Sequence, residues 1–94
     1  MDPEREKAET LALTALGWLA GREDLLDVFM GATGSSASDL RNRAAEPEFL
    51  AAVLDFLLMD DAWVLAFSDE SGVATGALVQ ARQALPGGEQ THWT

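Results

Sequence analysis

One segment of the sequence, residues 49–59, is apolar throughout except for Asp55. It is too short to cross a bilayer but long enough for about three turns of helix. Pro47 stands just before it, at a position that suits the first residue of a helix, because the N–H that proline lacks is unpaired there. Apolar side chains around most of a helix's circumference are typical of a helix enclosed by others. The segment therefore predicts the central helix of a small helical domain.

Helical spacing of apolar residues, together with glycines placed to end helices, divides the rest of the chain into further helices. Six segments fit: residues 4–20, 22–33, 37–45, 47–59, 61–71 and 75–85. Ser36 and Asp39 stand at the positions of a capping box for the short third segment. We expect an all-α fold, a compact bundle of five or six helices. Residues 1–88 form a single domain in this prediction, and residues 89–94 form a flexible tail.

The two halves of the chain match each other when one is displaced by 38 residues. The identical pairs fall at core positions or at helix-ending glycines: Leu16 with Leu54, Leu19 with Leu57, Phe29 with Phe67, Gly34 with Gly72 and Leu40 with Leu78. One interpretation is a pair of repeated three-helix units, in which the first and fourth helices are equivalent and lie side by side. The other is two helical stretches that match through patterning alone.

Several stretches of the sequence resemble a bacterial family of short helical proteins, domain of unknown function 3572. They are ETLALTALGWLA, LLDVF with a glycine five positions after its phenylalanine, RAAEPEFLAAVLDFLLMDD and the later ALPGG. The resemblance covers roughly residues 8–88. It implies a compact α-helical fold and no assigned activity, so it brings no functional residues with it.

The chain carries sixteen acidic and six basic residues, for a net charge of −10 at pH 7. The imbalance is greatest in residues 44–94, where Arg82 is the only base. Such a surface repels phosphate backbones, which disfavours nucleic acid as a partner. A well-solvated surface explains the excess of acid, and attraction of a basic protein is the alternative.

The location of the protein is predicted from what the sequence lacks. There is no cysteine, which excludes a disulfide framework and a thiolate metal site. The first ten residues, MDPEREKAET, have no apolar stretch of the kind found in secretory signals, and no apolar run reaches membrane-spanning length. We expect a cytoplasmic protein without membrane contact.

Residues suited to catalysis or metal binding are scarce. The single histidine, His92, lies in the predicted tail, and a Ser–His–Asp set requires that tail to be ordered. The carboxylates at residues 60–61 and 69–70 match no calcium-binding loop, and helix capping explains the first pair. No glycine-rich phosphate loop is present. We therefore predict no catalytic residues, no metal site and no cofactor, in a protein that is not an enzyme.

One stripe of the central helix is more polar than the rest and is predicted to face solvent or a protein partner. It contains Ala51, Ala52, Asp55 and Met59. With no catalytic set in the sequence, a small acidic protein-interaction or adaptor module is the favoured function. The partner is not identified by the sequence, which also leaves monomer and homodimer open.

A helix-turn-helix is the alternative, because the second helix, a glycine turn and the short third helix have suitable lengths. The third helix offers Arg41, Asn42 and Arg43 as nucleic-acid contacts. Any two helices joined by a glycine turn produce this pattern, and the net charge opposes phosphate binding. A transcriptional or nucleic-acid-linked regulator is therefore the second hypothesis.

Overall fold

The computed structural model describes residues 3–85, which form helices and no strand. The helices are α1 (Pro3–Ala20), α2 (Glu23–Thr33), α3 (Ala37–Asn42), α4 (Pro47–Leu58), α5 (Asp61–Ser71) and α6 (Thr75–Ala84). The predicted all-α bundle is confirmed. The predicted tail, residues 89–94 with His92 and Trp93, lies outside the described residues.

Local sequence explains where several helices begin and end. Ser36 Oγ accepts a hydrogen bond from the Asp39 N–H, and the Asp39 carboxylate accepts one from the Ser36 N–H, so the predicted capping box is present. Asp60 caps α5 by accepting a backbone N–H at 2.8 Å. Gly34 and Gly72 end α2 and α5 with φ of 72° and 78°, in the left-handed region that glycine enters without a Cβ clash.

The third helix is shorter than predicted, because it ends at Asn42 rather than at residue 45. Pro47 begins α4 at a first helical position, and proline disfavours helical backbone at the residue before it. Glu46 is accordingly extended, with φ −81° and ψ 124°. The chain reverses between Asn42 and Pro47 through a turn in which Glu46 N donates to Arg43 O at 2.9 Å. The turn leaves no room for a longer α3.

The fourth helix is the most enclosed element, as the sequence predicts. It packs against α1, α2, α5 and α6. Its buried residues are Phe49, Leu50, Ala51, Val53, Leu54, Phe56 and Leu57. Side chains of α1, α2, α5 and α6 complete one core, and no polar or charged residue is buried anywhere in residues 3–85.

The two halves repeat in structure with the 38-residue displacement seen in the sequence. Equivalent helix ends coincide at Ala20 and Leu58, at Glu23 and Asp61, at Thr33 and Ser71, and at Ala37 and Thr75. The backbone contacts at these ends repeat as well. For example, Gly34 N and Gly72 N each donate to the carbonyl four residues earlier at 2.9 Å.

Side-chain contacts between the halves repeat too. The ring of Trp18 meets Phe67 edge-on, with centroids 5.6 Å apart and planes at 74°. The counterparts Phe56 and Phe29 meet edge-on at 5.3 Å and 77°. Helices α1 and α4 pack side by side between these two contacts. Because equivalent residues of the two halves make the same contacts, the structure supports a repeat of one three-helix unit over two helical stretches that match through patterning alone.

Candidate functional site

A groove of about 390 Å³ separates the C-terminal half of α1 from α3. Its walls are one face of each helix: Leu13, Leu16, Gly17 and Ala20 on α1, and Ala37, Leu40 and Arg41 on α3. Their spacing places the members of each set on neighbouring turns of one helix face. Leu13 is 45% exposed, so apolar surface remains open to water. The groove combines an apolar lining with a single cation.

The equivalent surface in the second half of the chain is closed. There α6 packs against α4, and Ala51, the counterpart of Leu13, is only 4% exposed. Leu78 of α6 is fully buried, whereas its counterpart Leu40 of α3 is half-buried. Within the described part of the chain, the repeat thus contains two equivalent surfaces, of which one is covered by a helix and the other is not.

The third helix of each repeated unit, α3 in the first and α6 in the second, has a different length, and this explains why only one of the two surfaces is covered. α6 has ten residues and packs against α1, α4 and α5, whereas α3 has six and packs closely along no other helix of the described chain. Both helices precede a proline in the sequence, but four residues separate Asn42, the end of α3, from Pro47, whereas one residue separates Ala84, the end of α6, from Pro86. α3 is four residues shorter than α6, which is about one turn of helix, so it covers correspondingly less of the surface beside it. The open groove is therefore a consequence of the α3–α4 turn.

Arg41 has a different environment from the other arginines. Each of the others forms an ion pair: Arg5 with Glu9, Arg22 with Glu70, Arg43 with Glu46, and Arg82 with Asp55. The Arg41 side chain makes no ion pair, hydrogen bond or ring contact with any residue of the range 3–85. The nearest acid on α3, Asp39, is engaged in the Ser36 cap. Arg41 is thus a free cation at the edge of an apolar groove.

Two further grooves lie near the opposite end of α1, with volumes of about 270 and 540 Å³. Lys7 and Leu11 line both of them, α6 walls the smaller and Val73 borders the larger. Glu4 lies in the lining of the smaller groove and Glu6 in that of the larger. These grooves therefore have mixed charge, whereas the α1–α3 groove presents one positive charge alone.

The predicted partner face on α4 is wrong in part. Ala51 is buried because α6 packs on that side of α4, and Ala52 is half-buried. Asp55 is exposed but accepts a hydrogen bond from Arg82 Nε of α6, which occupies part of its surface. Met59, 74% exposed, is the one large apolar side chain of this stripe that reaches solvent.

Of the three predicted nucleic-acid contacts, two are exposed and the third is engaged with other side chains. Arg41 and Asn42 are exposed. Arg43 pairs with Glu46 at 3.0 Å, and its guanidinium lies over the Phe49 ring at 5.1 Å. The preceding helix, α2, which is the first helix of the predicted helix-turn-helix, carries three carboxylates and no basic residue. The alternative of a nucleic-acid-linked regulator stays a prediction.

Residues 3–85 contain neither a cluster of metal-binding side chains nor a membrane-spanning helix. No group of three or more His, Asp or Glu side chains between residues 3 and 85 is placed to hold a metal ion. None of the helices in that range combines the length and apolar character needed to span a bilayer.

Sequence reasoning missed Leu13, Gly17 and Leu40 as groove residues. A signal for them was present in the repeat, since Leu13 aligns with an alanine and Gly17 with Asp55. Leu13 is large where its counterpart Ala51 is small, which indicates that the surfaces of α1 and α4 at these positions are covered differently. The sequence does not say which of the two is open.

The fold and the groove define a class of protein: a compact all-α domain whose two halves repeat as three-helix units, with an apolar groove beside α3 that no other helix of residues 3–85 covers. The chain belongs to the family described as a protein of unknown function, DUF3572, whose family model matches residues 5–88. No curated protein and no solved structure matches it.

Proposed function

We propose that this chain is a small acidic protein-interaction module without catalytic activity, and that it receives a helix of a partner protein in the α1–α3 groove. The observation that carries the proposal is the closed counterpart. In the second half, a ten-residue helix covers the surface that α3 leaves open in the first. A helix from a partner would complete the first half as α6 completes the second.

The groove has the properties that helix binding requires. Its α1 wall consists of Leu13, Leu16, Gly17 and Ala20, at i, i+3, i+4 and i+7, so it offers one continuous helix face to a partner helix. Covering an exposed aliphatic side chain such as Leu13 contributes on the order of 1 kcal/mol, since half of its surface is already buried. Since Leu16 is already buried and Leu40 half-buried, the apolar contact is small, and we expect a reversible interaction rather than a permanent one.

Gly17 provides a direct test, because a side chain added there projects into the groove. A Cβ at Gly17 meets nothing within 4 Å and Gly17 lines the groove, so we expect the side chain of Gly17→Leu to occupy groove space. Gly31 of α2 is the matched control, since a Cβ there also meets nothing within 4 Å and it does not line the groove. Both substitutions raise helix propensity, so neither variant loses stability on that account.

The measurement is quantitative mass spectrometry of proteins that copurify with the tagged wild type and the two variants from the native host. We expect at least one protein that copurifies with the wild type and with Gly31→Leu and is depleted about tenfold or more with Gly17→Leu. Identical sets of proteins for the two glycine variants would show that the groove is not the binding surface.

A further inference from the structure

We propose that the partner helix presents a carboxylate to Arg41, so that this acidic protein recognises an acidic amphipathic helix. This inference rests on the proposed function and adds the chemistry of the partner. Its basis is the combination of an apolar groove, a free cation at its edge, and an ion pair that joins the two helices at the closed counterpart.

The state of Arg41 is the first part of the argument. The sequence has sixteen acidic residues, and each of the other four arginines has a carboxylate as a partner. Arg41 lines the groove, and among residues 3–85 no acidic residue lines it with Arg41. A guanidinium offers five donors in a planar fork that matches a carboxylate. The fork is therefore available to a carboxylate that enters the groove from outside.

The closed half of the molecule contains an ion pair between a covering helix and the helix beneath it, although at other positions of the repeat, since Arg41 aligns with Val79 and Arg82 with Ala44. Arg82 of α6 donates from Nε to the Asp55 carboxylate of α4, and its side chain is only 13% exposed. One ion pair thus accompanies the apolar contact between the covering helix and the helix beneath it. A partner helix with one acid at the edge of its apolar face would form a similar ion pair with Arg41. There the covering helix carries the acid and the domain carries the base, the reverse of Arg82 on α6 and Asp55 on α4.

Net charge makes the opposite prediction, which gives the inference a clear test. A domain of net charge −10 repels an acidic ligand and attracts a basic one at low ionic strength. Preference for an acidic helix therefore requires a local cation to outweigh the field of the whole chain. Arg41 is the cation placed to do so.

The test uses three synthetic amphipathic peptides of about 18 residues, long enough for helix formation in a groove. They have blocked termini and an apolar face of Leu and Ala, and they are uncharged except at one central position beside that face, which is Glu, Gln or Lys. Each is titrated at low ionic strength into the isotope-labelled full chain. Backbone amide shifts locate the bound peptide and give its affinity.

With the wild type, we expect shifts centred on the groove and about threefold to fivefold tighter binding of the Glu peptide than of the Gln peptide. Arg41→Gln should reverse this order, leaving the Lys peptide tightest, as net charge dictates. Arg41→Lys should restore the preference for Glu. Because the Arg41 side chain has no partner within residues 3–85, both variants should keep the wild-type unfolding midpoint.

Two outcomes overturn the inference, and they differ in what they say of the proposed function. Groove binding with the order Lys, Gln, Glu in the wild type would refute a carboxylate contact at Arg41 and leave the groove as a helix-binding surface. Absence of groove shifts with all three peptides would overturn both.

Discussion

At the scale of single residues, Glu70 joins the two halves of the molecule. Its carboxylate, at the end of α5, accepts hydrogen bonds from Trp18 Nε1 of α1 and from Arg22 Nη1, both at 2.8 Å. The Arg22 guanidinium also lies 4.9 Å from the Trp18 ring centre. Trp18 in turn meets Phe67 in the core. A surface carboxylate is thus connected to the aromatic contact between α1 and α5.

We expect Glu70→Gln to lower the free energy of unfolding by about 1 kcal/mol, because it weakens two charge-assisted hydrogen bonds at a half-exposed site. The tryptophan fluorescence of the native state should change as well, since the Trp18 indole loses a charged acceptor. Glu9→Gln is the control: it breaks only an exposed i, i+4 pair with Arg5, and should cost no more than about 0.5 kcal/mol. Equal losses for the two variants would contradict the assigned role of Glu70.

At the scale of helices, α3 and α6 differ in how they begin. Ser36 caps α3 with its side chain, whereas its counterpart Ala74 precedes α6 with no side-chain hydrogen bond. The backbone of Ala74 is extended, with φ −64° and ψ 143°, the conformation that an N-cap residue adopts. The first turn of α6 therefore has an unused capping position.

Ala74→Ser should stabilise the protein by about 0.5–1 kcal/mol, and Ser36→Ala should destabilise it by about 1 kcal/mol. The gain is the smaller of the two because the residue at N3 of α6 is Ala77, which cannot complete a capping box as Asp39 does. Urea unfolding of the two variants measures both changes. A loss of stability in Ala74→Ser would show that the start of α6 is fixed by packing in a way that excludes the cap.

At the scale of the whole molecule, the two repeated units share one core and do not form separate ones. Phe29 and Phe67 are equivalent in the repeat and both are fully buried. Each lies against an aromatic ring from the other unit, Phe56 and Trp18 respectively. Removing either ring therefore damages the same interface from opposite sides.

We expect Phe29→Ala and Phe67→Ala to cost about 3–5 kcal/mol each, through lost burial and the cavity that remains. In both variants, far-UV circular dichroism and tryptophan fluorescence should report the same unfolding midpoint, because a single core unfolds in one step. Separate midpoints from the two probes would mean that the units unfold independently.

Much of the architecture was accessible from the sequence, since it depends on local patterns. Residues 49–59 identified the central helix, because an apolar circumference requires neighbours on most sides. Gly34 and Gly72 marked the ends of α2 and α5, and the 38-residue displacement between them gave the repeat. The end of α3 differs from the prediction because the turn before Pro47 takes four residues, whereas proline restricts directly only the residue before it.

The candidate site was not accessible in the same way. The expected partner face assigned Ala51 to the surface, and only the packing of α6 on α4 shows that it is buried. Arg41 was considered for nucleic acid, and its lack of an ion pair emerges only when the positions of all the carboxylates are known. The sequence by itself determined the helices, their order and their repetition, because these follow from periodicity and backbone preference along the chain. Tertiary structure alone decided which of two equivalent surfaces is covered, because that depends on how far α3 and α6 reach across α1 and α4 in space.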